Sequence, residues 1–204
     1  MISGIVLAAG AGSRHGGPKA LVPGWLDAAT RLLLDAGCER VVVVLGAGAD
    51  DARRVLPPDP RIEIRTATDW ADGMGASLRA GLADATGDAV LITLVDLPGT
   101  PGTVVARLLA TTDKTKIRPT TTADRAPPSG DDQVDGGPRA DLRDALRQAT
   151  YSGRPGHPVL IGAHHWRELS ESLSGDRGAR PYLVRHGVVE VECGDLHHGR
   201  DEDV

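Results

Sequence analysis

The chain has 204 residues, a length that suits one α/β domain with a hydrophobic core of its own. Its formal net charge of −5 argues against a nucleic-acid surface, and no apolar run reaches the roughly 18 residues of a membrane span. The two cysteines, Cys38 and Cys193, lie far apart in the chain and are interpreted as free thiols in a reducing compartment. We therefore expect a cytoplasmic protein that binds neither nucleic acid nor a membrane.

Apolar runs bounded by glycine predict the buried strands of a mostly parallel sheet. The N-terminal stretch MISGIVLAAGAG has no basic segment and is interrupted by glycine, so it predicts a strand and a loop rather than a signal peptide. In chain order the predicted strands are Gly4–Ala8, Arg40–Leu45, Ile62–Thr66 and Ala89–Val95, with Pro158–Ile161 and Val188–Val191 as later candidates.

Helical patterns lie between these strands, and Gly37 supplies a natural end to the first of them. The alternation of strands and helices implies right-handed βαβ units. The predicted fold class is α/β, a single Rossmann-like domain with a mostly parallel sheet and helices on both faces. The predicted helices are Leu26–Ala36, Asp50–Leu56, Ser77–Ala85, Thr103–Ala110 and His165–Leu173.

One segment does not fit this alternation. Residues Asp113–Arg139 are rich in Pro, Thr, Asp and Gly and nearly free of apolar side chains. Such a segment cannot bury enough apolar surface to offset the entropy lost on ordering. We therefore predict one domain over residues 1–204, with a disordered insertion or mobile lid at 113–139.

The loop after the first strand is the strongest local signal. It reads LAAGAGSRHGGPK from Leu7 to Lys19, and its four glycines would let backbone N–H groups approach an anion without an intervening Cβ. Arg14 and Lys19 add two cations that suit phosphate oxygens. The loop is not a P-loop, because Pro18 precedes Lys19, and it lacks the third glycine of a Rossmann fingerprint, where His15 stands. It predicts a phosphate-binding loop of another kind, with a flexible surface loop as the alternative.

Asp96 follows the apolar run AVLITLV of the fourth predicted strand. In open α/β sheets, ligands bind beyond the carboxyl ends of the strands. A single carboxylate at such a place can hold Mg²⁺ while water and phosphate oxygens complete its coordination shell. The alternative is that Asp96 only caps the turn.

The pattern Leu-Ala-Ala-Gly-x-x-x-Arg-x-Gly-x-x-Lys in this loop resembles the signature of the MobA-like NTP transferases, in particular the molybdenum cofactor cytidylyltransferases. The resemblance implies a nucleotide-diphospho-sugar transferase-like fold and a metal ligand at Asp96. Ala9 stands where the guanylyl branch has Gly, which favours CTP over GTP. The implied nucleotide-binding residues are Leu7, Ala8, Ala9, Gly10, Gly12, Ser13, Arg14 and Lys19.

Three further segments resemble acceptor-side motifs of the same branch. WADGMGASLRAG at 70–81 resembles Trp-x-x-Gly-Met-x-x-Ser-Leu-x-x-Gly, in which Ser77 would either bind an anion or cap the helix. RPGHP at 154–158 resembles Arg-Gly-His-Pro with Pro155 inserted, and GDRGAR at 175–180 matches Gly-Asp-x-Gly-Ala-Arg. The implied acceptor-binding residues are Ser77, His157, Asp176 and Arg180.

The chain also departs from the family pattern at three places, one of which is the shortened run Pro23–Leu26. Ala67 stands where the family has Asn three residues before its Trp. The tail DLHHGRDED at 195–203 resembles the acidic Asp-x-Asp-Thr-Pro-Glu-Asp segment, with His197 in place of the inner acid. By this resemblance Asp195 is the second metal ligand.

The predicted function is transfer of CMP from CTP to a phosphorylated acceptor, implied to be molybdopterin or molybdenum cofactor, with release of pyrophosphate. Arg14, Lys19 and Asp96 are the predicted catalytic residues, Mg²⁺ is the predicted cofactor, and a molybdoenzyme or its chaperone is the implied protein partner. Two alternatives stay open. One is a related transferase that uses GTP or another NTP on a different phosphorylated metabolite, and the other is a non-catalytic nucleotide-binding module.

Overall fold

The structure is a computed structural model that describes residues 1–13, 15–111 and 140–200. Its strands are β1 (Ile2–Ala8), β2 (Arg40–Leu45), β3 (Ile62–Thr66), β4 (Ala89–Leu94), β5 (Leu146–Tyr151), β6 (Arg154–Gly162) and β7 (Val189–Glu192). In the described residues they form one sheet with the order β3-β2-β1-β4-β6-β5-β7. Strands β1 to β4 are parallel, whereas β6 runs antiparallel to both of its neighbours, β4 and β5.

Helices cover both faces of this sheet. They are α1 (Trp25–Asp35), α2 (Ala49–Val55), α3 (Met74–Ala83), α4 (Gly102–Ala110), α5 (Ala140–Arg143), α6 (Trp166–Ser172) and α7 (Arg180–Arg185). Successive residues of β1 point to opposite faces, so Val6 packs with Leu33 of α1 and Leu108 of α4, whereas Ile5 packs with Leu78 of α3. Strands β1, β2 and β4 are therefore buried on both sides, as their continuous apolar sequences predict, whereas β3 at the edge of the sheet alternates half-buried and exposed residues.

The predicted α/β fold with a mostly parallel sheet is confirmed, but β5 and α7 were not predicted. Strand β5 carries polar side chains, Arg147, Gln148 and Thr150, and all three are buried because the sheet and α4 satisfy their polar groups. A search for apolar runs therefore misses it. Helix α3 begins at Met74, three residues before the predicted start at Ser77.

The predicted insertion at 113–139 lies outside the described residues. The helices of the described ranges are all too short or too polar to cross a membrane.

Candidate functional site

The first cleft opens at the carboxyl ends of the neighbouring parallel strands β1 and β4 and encloses about 340 Å³. The end of β1 with its loop, the residues after β4 and the segment that leads into α3 all contribute to its lining. Of the predicted nucleotide-binding residues, Leu7, Ala8, Ala9, Gly10, Gly12 and Lys19 line this cleft. Ser13 is exposed and is not among the lining residues, and Arg14 lies outside the described part of the chain.

The loop after β1 requires glycine at position 12. Gly12 has φ +59°, and a Cβ built there would lie 1.9 Å from the carbonyl oxygen of Gly17. Its own carbonyl oxygen accepts hydrogen bonds from the backbone N–H groups of His15, at 2.9 Å, and Gly17, at 3.2 Å. The loop is thus folded back on itself beside the cleft, because position 12 has no side chain.

Lys19 and Asp96 meet in the first cleft. Lys19 Nζ lies 3.0 Å from Asp96 Oδ2, and the two side chains are only 19% and 17% exposed. The other carboxylate oxygen, Oδ1 of Asp96, is buried and has no hydrogen-bond partner among the described residues. A buried oxygen without a donor favours a cation, because loss of hydration is otherwise uncompensated.

The segment before α3 forms the other side of the cleft. Gly73 is the N-cap of α3, and no side chain caps this helix, so Ser77 lies inside the first turns and is not the cap. A Cβ at Gly73, which has φ +112°, would lie 2.4 Å from Asp176 Oδ1, and the N–H of Gly75 donates to the carbonyl oxygen of Gly175 at 2.9 Å. Asp176 therefore lies against the N-terminus of α3, and both Ser77 and Asp176 line the first cleft.

A second cleft of about 240 Å³ adjoins the first. Leu7, Met74 and Asp176 line both clefts, so the two lie side by side. His157 and Arg180, both predicted on the acceptor side, line the second cleft, and the structure therefore brings them close to the predicted nucleotide-binding loop.

Hydrogen bonds hold Arg180 at the wall of the second cleft. Its Nη1 donates to Gln148 Oε1, and its Nη2 donates to Glu190 Oε1 at 2.8 Å. Gln148 in turn donates to the carbonyl oxygen of Gly156 at 3.2 Å. Gln148 was not predicted as a site residue, because it lies on the strand β5 that carries no apolar signal.

His157 is a neutral imidazole in the second cleft. Burial lowers its pKa to about 4, although the negative charge of Asp96 acts to raise it. At neutral pH, His157 can donate one hydrogen bond and accept another.

The structure places Asp195 apart from both clefts. Asp195 Oδ2 accepts a hydrogen bond from Arg107 Nη2 at 2.8 Å, and this guanidinium lowers the pKa of the Asp195 carboxyl. His197, the residue in place of the inner acid, contacts the Tyr151 ring edge-on. Within the described ranges no group of three His, Cys, Asp or Glu side chains is arranged to hold a metal ion.

Residues 4–191 match the family model described as a MobA-like NTP transferase domain. A curated relative, the nicotine blue oxidoreductase of Paenarthrobacter nicotinovorans, is 38% identical over 212 residues, which cover 99% of this chain and 92% of the relative.

Solved structures share the fold. A nucleotidyl transferase from Methanothermobacter thermautotrophicus superposes with a TM-score of 0.68 at 20% identity, covering 95% of this chain and 88% of that one. The manganese complex of Rv0371c from Mycobacterium tuberculosis H37Rv has a TM-score of 0.65 at 21% identity, with 94% and 88% covered. Since the family model covers most of the chain, the family predicted from the loop motif is confirmed: this chain belongs to the MobA-like NTP transferases.

Proposed function

We propose that the chain is a nucleotidyltransferase that transfers CMP from CTP to a small phosphorylated acceptor, molybdopterin or molybdenum cofactor, and releases pyrophosphate. The observation that carries the proposal is that the glycine-rich loop, Lys19 and Asp96 line one cleft at the ends of β1 and β4. Membership of the MobA-like NTP transferase family supports the same reaction class.

The first cleft suits the triphosphate of the donor. The loop between Gly10 and Gly12 lines it with main chain that no large side chain covers, and exposed backbone N–H groups bind phosphate oxygens. Lys19 adds a positive charge to the lining of the same cleft. The chain's net charge of −5 means that an anionic donor must be bound by such local groups.

Asp96 suits a divalent cation. Its buried Oδ1 has no donor among the described residues, and a hard cation such as Mg²⁺ prefers carboxylate oxygen. The manganese in the related Rv0371c structure supports divalent-metal binding in this fold. When bound, Mg²⁺ would neutralise negative charge on the phosphates. We propose that Asp96 holds it; Asp195 would have to leave Arg107 to contribute.

The second cleft suits the acceptor, because it adjoins the first and carries hydrogen-bond donors. Arg180 has N–H groups beyond the two that bind Gln148 and Glu190, and neutral His157 can donate one more. These groups would orient the acceptor phosphate beside the donor.

The proposed step is an in-line displacement. An acceptor phosphate oxygen forms a bond to the α-phosphorus of CTP, and the bond from that phosphorus to the bridging oxygen breaks, so that pyrophosphate leaves with both bonding electrons. An ionised phosphate is already a nucleophile, so the protein contributes positioning and charge compensation. Lys19, and Arg14 from the same loop, would offset the negative charge that builds up on the leaving group.

The preference for CTP rests on Ala9, which lines the first cleft where the guanylyl branch has Gly. A panel of nucleoside triphosphates with Mg²⁺ in a thermal-shift assay tests it, since a ligand that binds the folded state raises the melting temperature. A shift with GTP or UTP alone would mean that this nucleotide, and not CTP, is the donor.

A molybdoenzyme or its chaperone is the proposed recipient of the product in the cytoplasm.

Release of pyrophosphate tests the reaction directly. Wild-type protein is incubated with CTP, Mg²⁺ and molybdopterin, beside Asp96→Ala and the matched control Asp84→Ala, whose carboxylate pairs with Arg65 away from both clefts. We expect release by the wild type and the control and loss with Asp96→Ala. No release by the wild type with any nucleoside triphosphate, or equal release by Asp96→Ala, would end the proposal. Binding without release would instead indicate a non-catalytic module.

A second candidate function follows from the curated relative, which is named as an oxidoreductase and matches nearly the whole chain. In this case one cleft would bind a dye such as nicotine blue and the other a hydride donor, and the dye would be reduced by taking up the hydride together with one proton from water. The assay is oxidation of NADH or NADPH with nicotine blue, followed by absorbance. Asp96→Asn separates the two functions, because hydride transfer needs no metal ligand there, whereas nucleotidyl transfer does.

A further inference from the structure

Trp70 lines the first cleft together with the phosphate-binding elements. It begins the single helical turn Trp70–Asp72 that leads into α3, and it lies at the cleft together with Ala71 and Gly73. Among the Phe, Tyr and Trp side chains of the described residues, Trp70 alone lines this cleft.

The position of the Trp70 ring is fixed by close packing against the main chain. A Cβ built at Gly46, just after β2, would lie 2.5 Å from Trp70 Cγ and 2.5 Å from the carbonyl oxygen of Ala9. Gly46 thus allows the indole to pack directly on the backbone beside the glycine-rich loop. The half-buried Trp70 side chain also lines the cleft.

The remaining large aromatic side chains have structural roles. Trp25, Tyr151 and Tyr182 are 7%, 5% and 5% exposed and belong to the hydrophobic clusters. The indole N–H of Trp166 donates to the carbonyl oxygen of Ile161 at 2.9 Å. In the part of the chain that the structure describes, no residue accepts a hydrogen bond from the indole N–H of Trp70. Aromatics make up only 2% of the sequence, so a half-buried indole that lines the ligand cleft calls for an explanation.

We infer that Trp70 is the stacking surface for the base of the nucleotide bound in the first cleft, an inference that rests on the proposed function. A nucleoside triphosphate has a charged half and a flat ring. The glycine-rich loop, Lys19 and Asp96 suit the charged half, and Trp70 is the flat apolar surface in the same cleft. Stacking on an aromatic side chain strengthens the binding of any base, because every base has a π-face.

With this role, Trp70 contributes to the affinity for a nucleotide but not to the selection of one base over another. Trp70 would strengthen binding of purine and pyrimidine nucleotides alike, and hydrogen-bonding groups elsewhere would choose between them. Removal of the indole would therefore weaken several nucleotides by a similar factor, without changing their order. Inorganic tripolyphosphate, which carries the charge but no base, would be unaffected.

Calorimetric titration of the full chain tests the inference. CTP and tripolyphosphate are titrated separately, in each case with Mg²⁺ present, and their affinities are compared. The variants are Trp70→Ala, Trp70→Leu, which keeps an apolar contact with Gly46, and Trp70→Phe, which keeps a flat ring. We expect Trp70→Ala and Trp70→Leu to bind CTP about tenfold more weakly, with tripolyphosphate within about twofold of the wild type. Trp70→Phe should bind CTP within about threefold of the wild type.

Tryptophan fluorescence gives an independent measurement. CTP should quench the emission of the wild type and of the matched control Trp166→Phe, and should leave Trp70→Phe unquenched. Equal losses for CTP and tripolyphosphate in Trp70→Leu would assign Trp70 a purely structural role and overturn the inference, as would unchanged CTP binding. If the wild type binds neither CTP nor tripolyphosphate, the proposed function itself fails. This result can be told apart from the two outcomes that overturn only the role of Trp70.

Discussion

Lys19 Nζ lies 3.0 Å from Asp96 Oδ2, although the two residues are 77 positions apart in the sequence. The contact joins the cation of the glycine-rich loop to the carboxylate at the end of β4. Because Asp96 is also the proposed cation ligand, Lys19 and a divalent cation compete for the same carboxylate until a triphosphate arrives to bind both.

This competition predicts opposite effects of Lys19→Met on two ligands. Without nucleotide, Mn²⁺ should bind about three- to tenfold more tightly, since the carboxylate loses its positively charged neighbour. With Mg²⁺ present, CTP should bind about tenfold more weakly, since a charge-assisted hydrogen bond to phosphate is lost. Calorimetric titrations of both ligands measure these changes. The matched control is Arg31→Met, which removes an exposed partner of Asp27, and parallel changes in the two affinities would contradict the competition.

Gly12→Ala should disrupt the glycine-rich loop while the domain still folds. The added Cβ would lie 1.9 Å from the carbonyl oxygen of Gly17 at a φ of +59°, so we expect a cost of about 1–3 kcal/mol in the free energy of unfolding. CTP affinity should fall with it, because the main chain that lines the cleft moves. Gly17→Ala is the matched control, since a Cβ there meets nothing within 4 Å. Urea unfolding and CTP titration of both variants provide the comparison, and indistinguishable behaviour would mean that the loop adapts.

The sequence predicts the parallel part of the fold well and the antiparallel part poorly, for a physical reason. Strands β1, β2 and β4 are buried on both faces and carry continuous apolar runs, whereas β5 buries Arg147 and Gln148, whose polar groups are hydrogen-bonded to main-chain carbonyl groups. The same distinction applies to the site. The glycine-rich loop and Asp96 are local signals, but the position of Gln148 beside Arg180 depends on the pairing of β5 with β7, because Arg180 binds both Gln148 and its strand partner Glu190.

The contact of Trp70 with Gly46 has no local signal either, because it joins two loops from different βαβ units. Likewise, the tail motif predicts that Asp195 is a metal ligand. Nothing in the sequence indicates that Arg107 of α4 binds the Asp195 carboxylate instead. Long-range pairings of this kind depend on the assembled sheet.

Asp195→Asn and Asp96→Asn should therefore differ in metal binding. Asp96 lines the first cleft with a buried, unpartnered Oδ1, whereas Asp195 Oδ2 is 2.8 Å from Arg107 Nη2. We expect Asp96→Asn to weaken Mn²⁺ binding about tenfold or more, and Asp195→Asn to leave it within about twofold. Titration with Mn²⁺, followed by electron paramagnetic resonance of the free ion, measures both constants. Equal weakening would show that Asp195 leaves Arg107 and completes the metal site, as the motif implied.

His157 should make the folded state less stable in mild acid. Burial lowers its pKa from the usual value of 6.5 to about 4 in the folded protein. Below about pH 6.5 the unfolded chain therefore takes up a proton that the folded chain does not, and the stability gained from neutral His157 is lost as the pH falls towards about 4. His157→Gln does not titrate, so its free energy of unfolding should fall less than that of the wild type between about pH 7 and pH 5.

Urea unfolding at the two pH values measures the difference, with His164→Gln as the control because the His164 side chain is 57% exposed. The control should follow the wild type. The same loss of stability in His157→Gln and the wild type would mean that His157 becomes protonated in the folded state, and a protonated imidazole would then bind the acceptor phosphate by charge as well as by hydrogen bonding. Pyrophosphate release would in that case increase as the pH falls below 6.5, whereas a neutral donor predicts no such increase.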